Sequence, residues 1–266
     1  MQIRLPGGRR FAQPGPTTPR RPAMRLALLT WSQVEAYLRG KDAIIIPTGA
    51  TEQHGPNGLI GTDHLIAEAL ALAIGERCGV LVHPVLAVGM SQHHLGFPGT
   101  ASLTAAGYGK LLTDTVESLA RHGFRTFYFV NGHGGNTPAA SAAASDLLTR
   151  REDLRWIWRS WWERPEVKAL EDELIGERNG DHATPAEISI TMHLFPRAVA
   201  PLAPVAPDKP AHEWPLGPGE FRRLFPDGRM YSDPSLASAE KGKRLFELCV
   251  NLYAAELAAL VGGPRG

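Results

Sequence analysis

Two uninterrupted apolar runs, Ala43-Ile44-Ile45-Ile46-Pro47 and Phe127-Tyr128-Phe129-Val130, each break into a polar loop framed by glycine and then into residues at helical spacing. A strand with no polar alternation has no face to offer water, so it belongs inside a sheet covered on both sides. Strand followed by helix, repeated along the chain, is the pattern of an α/β domain with a mostly parallel sheet. In open sheets of this kind ligands gather beyond the carboxyl ends of the strands, which is where the two loops lie.

The remaining elements keep that rhythm. Ser32 to Leu38 reads as a short helix ahead of the first strand. After Asp63, the residues Leu65, Ile66, Ala69, Leu70, Ala73 and Ile74 fall at helical spacing, and Gly79 offers a left-handed stop. Val80 to Val88 is expected to be a strand, and Thr104 to cap a helix carrying Leu111, Leu112, Val116 and Leu119 that ends at Gly123. Thr137 and Pro138 read as an N-cap and first-turn pair for an alanine-rich helix running to Arg150. Trp156 to Trp162 is expected as a strand, and a helix should start near Thr184. An irregular proline-rich stretch covers Pro196 to Pro218, and the last helix runs from Leu236 to Leu260.

The 266 residues, 43% of them hydrophobic, suffice for one large domain over residues 24–266. With 28 basic residues against 27 acidic ones, no overall field attracts nucleic acid or an anionic membrane surface, so the expected partner is a small-molecule substrate. Cys78 and Cys249 stand far apart in helix-like segments, which points away from a disulfide framework and toward a reducing, cytoplasmic setting. No apolar stretch approaches the ~20 residues needed to span a bilayer. Residues 1–23 combine five arginines and five prolines with no acidic residue, the composition of a disordered arm. Arg9-Arg10 lacks the apolar region that follows a twin-arginine signal, and Met24 reads as the functional start.

The chemistry concentrates in Thr51-Glu52-Gln53-His54-Gly55-Pro56, followed by Gly61-Thr62-Asp63. Singly, Asp63 fits a helix start, His54 a hydrogen-bonded core histidine and Glu52 a surface charge. Together in one loop framed by glycine and proline they suit a hard or borderline divalent cation. Asn131-Gly132-His133-Gly134-Gly135-Asn136 adds His133. It is followed by no G-K-[ST] and lacks G-x-G-x-x-G spacing, so nucleotide binding has no support. No G-x-S-x-G is present for a nucleophilic serine. Glu187 closes Thr184-Pro185-Ala186-Glu187, which reads as a capping box.

These motifs, in this order and with Phe97-Pro98-Gly99-Thr100, resemble the creatininase (creatinine amidohydrolase) family from about Trp31 to Leu260. The resemblance implies a three-layer α/β/α sandwich and a homohexamer. It also implies a centre of two divalent metal ions, zinc, manganese or iron, held by Glu52, His54, Asp63 and His133, with Asp63 bridging. In creatininase itself a glutamate stands where this chain has Gly135, which makes creatinine a poor match as substrate. Gly180-Asp181-His182-Ala183 with Glu187 partly matches the family's next segment. That match makes Glu187 a further ligand and catalytic group and His182 the general acid or base. His94, Trp161 and Trp162 are placed in the substrate pocket. The expected activity is amidohydrolysis of an amide, cyclic amide or formamide. Cleavage of a short peptide, or a metal-binding oligomer without turnover, are the alternatives.

Overall fold

The computed structural model describes residues 24–205 and 210–262, so the expected arm at 1–23 lies outside the described residues. Four parallel strands form the central sheet: β1 (Ala43–Thr48), β2 (Leu81–Val82), β3 (Thr126–Asn131) and β4 (Arg155–Ser160), in the order β2-β1-β3-β4. β1 and β3 are buried along their whole lengths. Because side chains alternate sides along a strand, Ala43, Ile45, Tyr128 and Val130 pack into one layer and Ile44, Ile46, Phe127 and Phe129 into the other. Each fully buried isoleucine contributes about 1.5–3 kcal/mol.

One layer holds α2 (Thr62–Cys78), α5 (Pro165–Leu174), α6 (Pro185–Leu194) and α8 (Ala239–Gly262). The other holds α3 (Ala105–Ala120) and α4 (Thr137–Arg150), with α1 (Trp31–Leu38) packed beside them. This is the three-layer α/β/α sandwich expected. A short α7 (Pro218–Leu224) builds a separate small core from Phe97, Leu216, Phe221, Phe225 and Met230.

The expected strand Val80 to Val88 shrinks to two residues of ladder. Pro84 has no N–H to donate, although His83 N and Leu86 N still reach the carbonyls of Ile45 and Pro47, each at 2.9 Å. The same gap explains why Pro47 is tolerated inside β1. Its carbonyl faces β2, so its missing N–H falls on the side where the ladder is already broken.

Other boundaries shift for local reasons. β4 stops at Ser160, leaving Trp161 and Trp162 beyond the strand. Thr137 is itself helical, because residues 134–136 already turn in the right-handed sense and Asn136 becomes the residue before the helix. Leu236 belongs to a turn closed on Asp233, and α8 begins at Ala239 with Lys241 N on Ser238 Oγ at 3.3 Å. α5 was not expected, yet Pro165 at its first position and Val167, Leu170 and Leu174 at helical spacing were a readable signal. By length and composition α8 could cross a membrane, with mean hydropathy 1.5, contrary to the sequence expectation. Its Leu245, Cys249, Val250, Tyr253 and Leu257 are buried in the core shared with α2 and α6.

Candidate metal centre

Thr48 at the end of β1 pairs with Asn131 at the end of β3, so the loops that carry Glu52 and His133 open on the same edge of the sheet. α2 begins beside them and holds Asp63 in its first turn, where free backbone N–H groups favour a carboxylate. The approach of loop and helix depends on glycine. A Cβ on Gly132 would lie 2.2 Å from Asp63 O, and one on Gly49 would lie 2.5 Å from His64 N.

Glu52 is fully buried, and among the described residues no donor reaches either of its carboxylate oxygens with hydrogen-bond geometry. Around its Oε1 stand His133 Nδ1 at 3.3 Å, His182 Nδ1 at 3.5 Å and His94 Nε2 at 3.6 Å. Asp63 turns Oδ1 to His54 Nε2 at 2.9 Å and Oδ2 to His133 Nδ1 at 3.1 Å. Its two oxygens therefore face two different imidazoles. A buried carboxylate without donors is expensive unless a cation answers it, and carboxylates mixed with imidazoles suit zinc, manganese or iron.

The outer nitrogens of three histidines sit on main-chain carbonyls: His54 Nδ1 on Glu52 O at 3.1 Å, His133 Nε2 on Met90 O at 2.9 Å and His182 Nε2 on Gln53 O at 2.7 Å. A carbonyl only accepts, so each ring places an N–H outward, and the inward nitrogen is the one left to offer a lone pair to a cation once it gives up its proton. Ligand atoms close enough to share one ion occur in Glu52–Asp63–His133, in His54–His182–Glu187 and in Glu52–His94–His182.

The charges lean the same way. Burial favours a neutral His54, yet Asp63 and Glu187 overcome it and raise its pKa to about 10. Burial likewise opposes the ionised Asp63, but His54 and His133 bring it down to about 2. Glu52 is held well below the carboxylate range by His133 and His94 against its burial. Burial lowers His182 to about 3, helped by the charge of His54. A proton retained by His54 this strongly measures the negative charge crowded around it, and a divalent cation would answer that charge.

Glu187 forms the capping box read from the sequence and also faces the candidate centre. Its Oε1 accepts from Thr184 N at 2.5 Å while Thr184 Oγ1 accepts from Glu187 N at 3.2 Å, which completes the capping box. Its Oε2 lies 3.9 Å from His54 Nε2. Burial raises this carboxyl to about 7, with His54 acting against the rise.

Glu52, Asp63, His133, His182 and Glu187 line a cavity of about 470 Å³. His94, Trp161 and Trp162 are on its wall, and Trp161 is also part of the core beneath. The sequence reading passed over Gln53, Glu171 and Trp214. Glu171, on α5, is buried and raised to about 7 by that burial. Trp214 lies in the irregular stretch, where no periodicity marks a position.

A family model described as creatinine amidohydrolase matches residues 27–257. The chain belongs to the creatininase family. It is 33% identical over 224 residues to the mycofactocin precursor peptide peptidase of Mycolicibacterium smegmatis (strain ATCC 700084 / mc(2)155), covering 78% of this chain and 81% of that one. It is 31% identical over 242 residues to the creatinine amidohydrolase of Pseudomonas putida, covering 84% and 91%. A crystal structure of creatinine amidohydrolase (creatininase) superposes with a TM-score of 0.81 at 28% identity, covering 92% of this chain and all of the other. A solved structure described as "Creatininase Mn" gives 0.80 at 28%, covering 91% of this chain and all of that one. These relatives of the creatininase-family chain are hydrolases of amide-like or peptide bonds. Its own loop leaves no room for a side chain at Gly135, where a Cβ would lie 2.5 Å from His133 Nε2 and 2.7 Å from Met90 O.

Proposed function

We propose that this chain is a metal-dependent hydrolase of amide C–N bonds, with Glu52, His54, Asp63, His133 and Glu187 holding two divalent cations. The observation that carries the reading is the buried Glu52 carboxylate, which meets no hydrogen-bond donor while histidine nitrogens face it from three sides. Bound cations of this kind acidify water and polarise a carbonyl oxygen.

The chain's own residues supply the rest. Asp63 turns separate oxygens to His54 and His133 and would help hold both cations, and Glu187 fixes one oxygen at the helix start while the other faces His54. His182, neutral at pH 7 with Nε2–H on Gln53 O, has Nδ1 free to take a proton from the attacking water and to deliver it to the departing nitrogen. Trp162 and Trp214 wall off the bound substrate. The cavity is within the size range of drug-sized ligands and exceeds the needs of a single lactam ring. Together with the closed space at Gly135, this favours an open-chain amide, such as a short peptide, over creatinine.

Metal analysis and an amide panel of lactams, formamides and short peptides test the reading. About two divalent ions per chain are expected, with activity lost on chelation and restored by zinc or manganese. Full turnover in the presence of chelator, or unchanged metal content in Glu52→Gln, would overturn it.

A further inference from the structure

Gln53 lies between two proposed ligands in the chain, yet its side chain touches neither cation subsite and organises the histidines instead. Its Oε1 accepts from Gly55 N at 2.8 Å, and its Nε2 donates to Gly228 O at 2.9 Å. A backbone N–H only donates and a carbonyl only accepts, so the amide has one possible orientation. Gly228, at φ +85°, packs so closely that a Cβ there would overlap the Gln53 amide, which keeps its carbonyl in place.

The second N–H of Gln53 points at His94 Nδ1, 2.8 Å away. An amide nitrogen does not accept, so His94 Nδ1 carries the lone pair and the ring proton sits on Nε2. His182 Nε2 is also 3.0 Å from Gln53 Nε2, but it lies nearer, at 2.7 Å, to the main-chain oxygen of Gln53, which takes its N–H. With that assignment every group in the set is paired. Turning the amide toward His182 would leave His94 Nδ1 unpaired and remove the His182 donor from Gln53 O.

His94 is thus the opposite of its neighbours. His54, His133 and His182 each fix an N–H outward on a main-chain carbonyl, whereas His94 turns its lone pair outward to Gln53 and its N–H inward. The ring has little freedom to change this. It is 1% exposed, stacks on His182 with centroids 4.3 Å apart and meets the edge of Phe221 at 4.7 Å.

We propose that Gln53 is a positioning residue that fixes His94 as the Nε2–H tautomer, so that His94 serves as a neutral hydrogen-bond donor to the carbonyl oxygen of the bound amide and not as a ligand of either cation. A donor held there gains strength as charge develops on that oxygen. The tautomer stands independently of the hydrolase reading, and the catalytic consequence rests on it.

Long-range ¹H–¹⁵N spectra of protein labelled with ¹⁵N-histidine, recorded metal-free and zinc-loaded, read each ring nitrogen directly, with His94 assigned by its loss in His94→Gln. The expected result is a bare Nδ1 and a protonated Nε2 on His94 in both states, while the inward nitrogens of His54 and His133 shift on adding zinc. Gln53→Glu removes the donor to Nδ1 and should reverse the tautomer without changing metal content. A wild-type His94 protonated at Nδ1, or zinc bound to its Nε2, overturns the proposal whatever the variants do. With the substrate that the amide panel identifies, His94→Phe should lower kcat about 100-fold and leave KM within about threefold. Full kcat in that variant removes the donor role. Correct spectra with no amide turned over would instead count against the hydrolase reading alone.

Discussion

The pocket has two walls made in different ways. On one side, the loops after β1 and β3 meet the first turn of α2 backbone to backbone, and Gly132 and Gly49 leave no space between them. On the other stand α5, residues 176–182 and the stretch carrying Trp214 and Met230, which packs on the small aromatic core around Phe221. The first wall sets charges at separations dictated by main-chain contact, and the second sets a shape by side-chain stacking. A rigid arrangement of charge suits chemistry that is the same for many amides, whereas stacked side chains can be exchanged to suit different ones.

The sharpest way to break that contrast is Gly132→Ala. Its Cβ has to displace the Asp63 carbonyl, which is backbone and cannot swing aside. Overpacking of this kind costs about 3 kcal/mol, so a melting temperature lower by about 10 °C is expected, together with loss of most bound metal. Metal content equal to wild type would show that the first wall is softer than described.

Glu187→Gln separates the capping role of one side chain on that wall from its proposed role as a ligand. Glutamine still accepts from Thr184 N, so the fold should hold, while bound metal falls from about two toward one per chain and turnover drops by about 1000-fold. Unchanged metal and turnover would confine Glu187 to capping.

Trp214→Ala addresses the second wall. Its ring is half exposed and meets His93 edge-on at 5.1 Å. Metal content should stay at wild type, with KM about tenfold higher and kcat within about threefold, the pattern of lost substrate binding. A fall in kcat with KM unchanged would place Trp214 in the chemistry.

Glu171→Gln should leave metal and turnover alone and act only on the pH dependence of stability. Because burial raises the folded carboxyl from 4.5 to about 7, the native state holds a proton that the unfolded chain has already released between those values. Stability therefore falls as pH rises through that window. The variant lacks this loss and should gain on the order of 2–3 kcal/mol relative to wild type between pH 4.5 and 7.5, followed by urea titration. Parallel stability curves would mean that Glu171 is better solvated than its position implies.

Much of the first wall was legible because it is local. Glu52, His54 and Asp63 lie within one loop, and a continuous apolar run before each loop placed both His133 and Glu52 at the sheet edge. Glu187 was read as a choice between cap and ligand, since a sequence names a residue once, while a carboxylate has two oxygens that can act apart. The second wall was largely illegible. Trp214 comes from an aperiodic stretch, and Glu171 reaches the site through the packing of α5, a helix whose start at Pro165 was readable but whose destination was not. Gln53 was printed inside the motif and went unread, because an amide announces no chemistry until its neighbours fix which end donates.

The break in the ladder between Pro47 and Pro84 bears on how the molecule behaves in a crowded solution. An exposed sheet edge with a long row of free N–H and C=O groups invites another chain to add a strand and start an aggregate. Here the edge beyond β1 carries two residues of strand, Val82 N is already taken by Met24 O at 2.6 Å, and a proline follows two positions later. A second chain arriving there finds too short a template to extend, so the β2 edge resists fibre growth by geometry, with no need for the charged residues that guard many other edges.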